Sequence, residues 1–120
     1  MGKETEKEGS HILAELLSDF LEKYGIEKKE VIKNSSLDNI YAYQIFAGKK
    51  NPKREKLIQL AFGFPLSVED ANLLLQTCGY STLYVRNKRD AVCIYCLEKK
   101  MTIEECNAYL SEVGVRTLEE

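Results

Sequence analysis

The strongest constraint on what this chain can fold into is that part of it repeats. The run SVEDANLLLQTCGYSTL from Ser67 aligns without gaps on TIEECNAYLSEVGVRTL from Thr102, 35 positions on. Glu69/Glu104, Asn72/Asn107, Leu75/Leu110, Gly79/Gly114, Thr82/Thr117 and Leu83/Leu118 are identical, and Ser67/Thr102 and Val68/Ile103 are close. Each copy, 67–83 and 102–118, reads as a capped helix, a glycine stop and a Thr-Leu docking point. Two copies are too few for a solenoid. They predict a pseudo-symmetric helical pair with a surface for self-association.

The rest of the chain is helical in the same way. Leu13, Leu16, Leu17, Phe20, Leu21 and Tyr24 fall at three- and four-residue steps, which predicts an amphipathic helix over His11–Tyr24. Ser10 is its expected cap, Gly25 its stop, and His11 is expected to be exposed. A shorter helix from Glu27 carries Val31 and Ile32 inward and ends near Asn34, where Asn34-Ser35-Ser36 favours a turn. Leu37 anchors that turn. Asp38 caps a helix to Ala47 that buries Ala42, Ile45 and Phe46 before Gly48 ends it. Asn51-Pro52 is expected to open the next helix, with Leu57, Ile58, Leu60, Ala61 and Phe62 on its buried side and Gly63 and Pro65 at its end. Ser67 to Asp70 has the form of a capping box with an acid in the usual Glu or Gln place. Asn87 caps a helix from Lys88 to about Lys100, and its AVCIYCL segment predicts burial on more than one face. A last helix spans Thr102 to Val113.

Composition narrows the function classes. A chain of 120 residues fits one domain, or a small domain with an extension. The opening MGKETEKEGS is polar, so residues 1–9 are expected to be a disordered tail, with no leader and no membrane span. Glu6 stands where a myristoylation signal needs Ser or Thr. A cytoplasmic protein with no membrane partner is expected. The net charge is −2, yet from Lys28 to Lys56 eight basic residues face three acidic ones, leaving −7 on the remainder. That asymmetry predicts one basic face on an acidic body.

No catalytic constellation is present. There is one histidine, no glycine-rich phosphate loop and no metal-spaced cluster, so neither an enzyme nor a cofactor is expected. Glu69, Asp70 and Asp90 sit at helix starts, where capping accounts for them better than acid–base work. Cys93 and Cys96 have CxxC spacing inside an apolar helical run. Buried structural thiols are the expectation for these and for Cys78 and Cys106, with zinc binding and thiol redox chemistry as alternatives.

Lys28 to Gly48, KKEVIKNSSLDNIYAYQIFAG, followed by KKNPKREK, resembles the helix-turn-helix of the XRE family, the lambda repressor/Cro-like DNA-binding domains. Val31, Leu37, the Ile45-Phe46-Ala47-Gly48 helix end and the following Lys49-Lys50-Asn51-Pro52 carry the likeness. It covers His11 to about Leu75. Ile32 and Ala42 exchange the family's usual small and large residues at a pair that packs together, and Ser36 stands where Gly is usual. The resemblance implies an all-α fold, a five-helix lambda-repressor-like helix-turn-helix domain over 10–78 with a two-helix C-terminal extension over 79–120. It implies a transcriptional regulator that reads double-stranded DNA as a homodimer held by its C-terminal helices. The base-reading residues would be Asn39, Ile40, Tyr43 and Gln44, and Lys28, Lys49, Lys50, Lys53 and Arg54 would hold phosphates. A protein-interaction adaptor or antitoxin-like module keeping the fold is the alternative. Its supporting features are the acidic body, the duplicated C-terminal helices and the absence of arginine on the reading helix.

Overall fold

Short polar side chains cap the starts of α-helices at Asp38, Ser67, Asn87 and Thr102. The computed structural model describes residues 2–118, with side chains from 9 onward, and has seven helices and no strand among them. They are α1 (Gly2–Tyr24), α2 (Lys28–Ser35), α3 (Asn39–Phe46), α4 (Arg54–Gly63), α5 (Val68–Thr77), α6 (Lys88–Glu98) and α7 (Ile103–Glu112). Asp38 accepts from the Tyr41 amide at 3.0 Å, Ser67 from the Asp70 amide at 3.1 Å and Asn87 from the Asp90 amide at 2.9 Å. Thr102 and Glu105 close a reciprocal capping box at 3.1 and 2.8 Å. Each cap satisfies an N–H that the first turn leaves without an intrahelical acceptor. The chain is all-α, as expected.

Three expectations are corrected. The first helix begins at Gly2 instead of after Ser10, so 2–9, expected as part of a disordered tail over 1–9, are helical, while Met1 lies outside the described residues; Ser10 is buried inside the helix. Lys and Glu are good helix formers, and nothing in KETEKE breaks a helix that the apolar stripe further on has already nucleated. α4 begins at Arg54, two residues after Pro52, because Lys53 is its extended N-cap and Pro52 is buried upstream. The Ser67 box is only half closed. Asp70 is one methylene shorter than Glu105, and its carboxylate turns outward to Lys23 and Tyr24 of α1.

α4 is the enclosed helix, buried at every position from Leu57 to Gly63. It packs most extensively on α2, while α1 lies against α3 and α5. Gly63 permits the α2·α4 approach: a Cβ there would stand 2.5 Å from the Val31 carbonyl oxygen. Phe64, at the end of α4, stacks with Phe20, Tyr24 and Phe46 at centroid distances of 5.8, 6.2 and 6.4 Å, joining α1 and α3 to the α4–α5 connection.

The repeat is longer in three dimensions than in its identities. α4–α5 and α6–α7 are equivalent helical hairpins, residues 53–83 and 88–118, at the same spacing of 35. Asn72 accepts from the Leu83 amide at 2.9 Å, and Asn107 accepts from the Leu118 amide at 2.7 Å. Both leucines are buried, so Thr-Leu is the docking point the sequence indicates. The arginines extend the equivalence. Arg54 donates to the carbonyls of Ser81 and Thr82 and to Asp90; Arg89 donates to the carbonyls of Arg116 and Thr117 and to Glu55. Exchanging the hairpins maps each of these bonds onto the other. α4 meets α7 as α6 meets α5, so the pattern is that of an approximate two-fold.

The hairpins differ in what covers them. α6 was expected to be buried on more than one face; Cys93, Cys96 and Leu97 are buried, Val92 and Ile94 half-buried, and Tyr95 is exposed. The first hairpin is covered by α1 and α2, and among the described residues no helix packs as extensively on the outer side of the second.

Candidate nucleic-acid interface

α3 is held from behind and open in front. Ala42, Ile45 and Phe46 face the core, whereas Asn39, Ile40 and Tyr43 are exposed and Gln44 is half-buried. Ile40 is 72% exposed and stands beside the exposed Tyr43 on the outer side of the helix. Asn39, Ile40, Tyr43, Gln44, Ala47 and Lys49 line one shallow depression. A second depression beside it, lined by Lys29, Ile32, Lys33, Leu37, Asn39 and Tyr43, continues the surface onto α2. The four expected base-reading residues therefore share one surface.

The turn that aims α3 is fixed at several points. Ser36 adopts a left-handed conformation, φ 60° and ψ 24°, where the resemblance expects glycine. Ser35 donates to the Ile32 carbonyl at 2.8 Å and accepts from the Leu37 amide at 3.3 Å. The buried Gln59 amide of α4 donates to the Ser35 carbonyl at 3.1 Å, leaving its own Oε1 without a partner. Ser36 also donates to Glu104 of α7 at 3.3 Å. Behind α3, Gly48 at φ 77° turns the chain where a Cβ would already touch Ala14 and the Ser10 carbonyl.

The expected phosphate-holding residues separate into two groups. Lys28, Lys49, Lys50 and Lys53 are exposed. Lys28 Nζ stands 5.7 Å from the centre of the Phe46 ring, which keeps it beside α3. The segment carrying the other lysines is anchored by the Tyr80 hydroxyl, which donates to the Pro52 carbonyl at 3.2 Å. Arg54 differs from the lysines. Its guanidinium is turned inward to Ser81, Thr82 and Asp90, where it acts as a structural latch. Its partners lie 27 to 36 residues on, beyond what local pattern shows. One signal was available: Arg54 and Arg89 are separated by the same 35 positions as Asn72 and Asn107.

The thiols and acids that could have carried other chemistry are accounted for structurally. Cys93, Cys96 and Cys106 are buried inside the second hairpin, at positions filled in the first by Ile58, Ala61 and Ala71. Cys106 is hydrogen-bonded to Cys93 and pushed up by that bond and by burial, while Cys93 is lowered chiefly as its partner. Burial pushes Cys78 up to about 11. No group of three or more His, Cys, Asp or Glu suited to a metal ion occurs among the described residues. Burial raises the Asp70 carboxyl, but Lys23, Tyr24 and Ser67 together hold it below its ordinary value. Asp90 accepts from Arg54 and from the Tyr84 amide. No described helix is long and apolar enough to cross a membrane. Comparisons with family models, curated proteins and solved structures return no match for this chain.

Proposed function

We propose that this chain is a sequence-specific DNA-binding transcriptional regulator. In this reading α1–α5 form a lambda-repressor-like domain, α6–α7 are its extension, and α3 enters the major groove. The observation that carries it is the exposed α3 surface: Asn39, Ile40, Tyr43 and Gln44 converge on one depression that Lys49 borders. Asn39 and Gln44 are suited to bidentate pairing with adenine, Ile40 to a thymine methyl and Tyr43 to the sugar–phosphate edge. Lys28, Lys49, Lys50 and Lys53 supply the sequence-independent attraction that fixes register. A homodimer would read half-sites about one helical turn apart.

The test is selection of bound sequences from random DNA, followed by salt-titrated shift assays on the selected site and on random duplex. A selected site that out-competes random DNA supports the reading. Absence of retardation at low salt refutes it.

A second reading is favoured by one feature of the same surface. Ile40 and Tyr43 are large, apolar and exposed, and no arginine lies on α3. Such a face also suits a protein partner, as in an adaptor or antitoxin-like module. A partner recovered by pull-down and lost on Ile40→Ala, with no DNA retardation, favours this alternative.

A further inference from the structure

We propose that the cavity where the two hairpins meet, lined by Arg54, Arg89, Arg116, Ser81, Tyr84 and Asn87, binds a nucleoside monophosphate. Its volume is about 620 Å³, within the range of small-molecule sites. Three guanidiniums reach it. Two are committed to the fold: Arg54 and Arg89 each make four bonds, to carbonyls and to Asp90 or Glu55, which leaves one N–H apiece on Nη1. Arg116 is the third, and the internal symmetry shows that the fold has no use for its side chain. Its equivalent 35 positions earlier is Ser81. Ser81 and Arg116 each offer a backbone carbonyl to the arginine of their own hairpin, at 3.1 and 2.6 Å. In the first hairpin a short side chain suffices for that duty. In the second, the same place carries a guanidinium that is 75% exposed and whose described contact is the Glu55 carboxylate, at 3.8 Å.

The charge balance of the described residues favours an anion. Asp90 and Glu55 are the acids at the three guanidiniums, and each is already engaged by an arginine. Arg86 and Lys88, exposed on either side of Asn87, add positive charge beside the cavity. A guanidinium pairs bidentately with phosphate, and Arg116 has its N–H groups to spare. Tyr84 receives the other half of the ligand. It is 57% exposed, yet its backbone is fixed: its amide donates to Asp90 and its carbonyl accepts from the Asn87 amide, both at 2.9 Å. An open ring on a fixed segment beside guanidiniums suits a planar base stacked next to its own phosphate.

The cavity shares no residue with the α3 surface, so it does not depend on the DNA reading. The test is isothermal titration of the full chain, Glu119 and Glu120 included, with the monophosphates of adenosine, guanosine, cytidine and uridine. Inorganic phosphate and the free nucleosides are titrated in parallel. At least one mononucleotide is expected to bind, more tightly than phosphate or its own nucleoside. Arg116→Ser, which matches the second hairpin to the first, should weaken that binding on the order of tenfold or more. Tyr84→Ala should weaken it several-fold and leave inorganic phosphate unaffected. Far-UV circular dichroism and thermal melting confirm that both variants are folded. No binding of any mononucleotide at millimolar concentration overturns the proposal. So does undiminished affinity in Arg116→Ser or in Tyr84→Ala, or inorganic phosphate that binds as tightly as the nucleotides.

Discussion

Arg54 and Arg89 occupy the same place in two successive hairpins, and each pairs with the carboxylate that follows the other: Arg54 with Asp90 at 3.0 Å, Arg89 with Glu55 at 2.5 Å. Each guanidinium also ties down the last loop of its own hairpin. The two arginine side chains are only 26% and 15% exposed, so each removal leaves carbonyls and a carboxylate short of donors. Arg54→Ala and Arg89→Ala are each expected to lower stability by about 2–4 kcal/mol in urea denaturation. Arg54→Ala should do so without changing the salt dependence of DNA binding, unlike a lysine that meets phosphate.

Gly63 is required by space and not by backbone angle. A Cβ there would stand 2.5 Å from the Val31 carbonyl oxygen and 3.2 Å from the Ser35 Cβ, and both belong to α2. Gly63→Ala is expected to cost about 1–3 kcal/mol by forcing α2 away from α4, even though alanine is the better helix former. Because α2 leads into the turn that aims α3, DNA affinity should fall at temperatures where the variant is still folded. Parallel melting and shift assays check both effects.

Asp70 gives the fold a pH dependence. Its carboxyl titrates below its ordinary 3.8 in the folded chain, held down by Lys23, Tyr24 and Ser67 against the opposing effect of burial. A lowered acid stabilises the fold above its unfolded-state value, and that stabilisation is lost as pH falls through the folded value. Asp70→Asn should therefore lower stability by about 1–3 kcal/mol at pH 7. The gap to wild type should close as pH falls below about 4.

The buried thiols are expected to act as packing. Cys96 and Cys106 stand where the first hairpin has Ala61 and Ala71, so Cys106→Ala should cost less than about 1.5 kcal/mol. Cys78, raised to about 11, should be alkylated slowly at pH 8 because only about 0.1% of it is thiolate. Counting modified thiols by mass spectrometry with and without denaturant checks this.

On the proposed DNA-reading face of α3, Gln44→Ala should weaken binding to the selected site by about 1–3 kcal/mol and leave binding to random duplex nearly unchanged. Lys50→Ala should weaken both and flatten the salt slope by about one unit. Equal losses on both DNAs for Gln44→Ala would show that α3 does not read bases.

What was legible in the sequence was local. Asp38, Ser67, Asn87 and Thr102 announce helix starts because a short polar side chain reaches an amide three residues on. The α2–α3 turn was legible from Asn34-Ser35-Ser36, and the left-handed Ser36 stands where the resemblance has Gly. Asn72 and Asn107 betrayed the repeat because both bond the backbone of a leucine and tolerate little change. What was hidden depended on partners far along the chain. Arg54 looked like a phosphate contact because nothing near it in sequence shows Asp90 waiting 36 residues on. The first half of the repeat was masked because Leu57/Val92, Ile58/Cys93 and Ala61/Cys96 keep apolar character without identity. The AVCIYCL segment was expected to be buried on more than one face, yet Tyr95 is exposed, because periodicity shows an apolar stripe but not whether a neighbour exists to cover it.

The exchanged arginines have one more consequence. Bonds that trade places when two units are swapped are what two separate, identical hairpins would form on meeting. Here the four residues Tyr84 to Asn87 join them end to end, so what would be a bimolecular encounter is an intramolecular docking at a fixed and high effective concentration. Dilution, which separates two free hairpins, has no purchase on this pair.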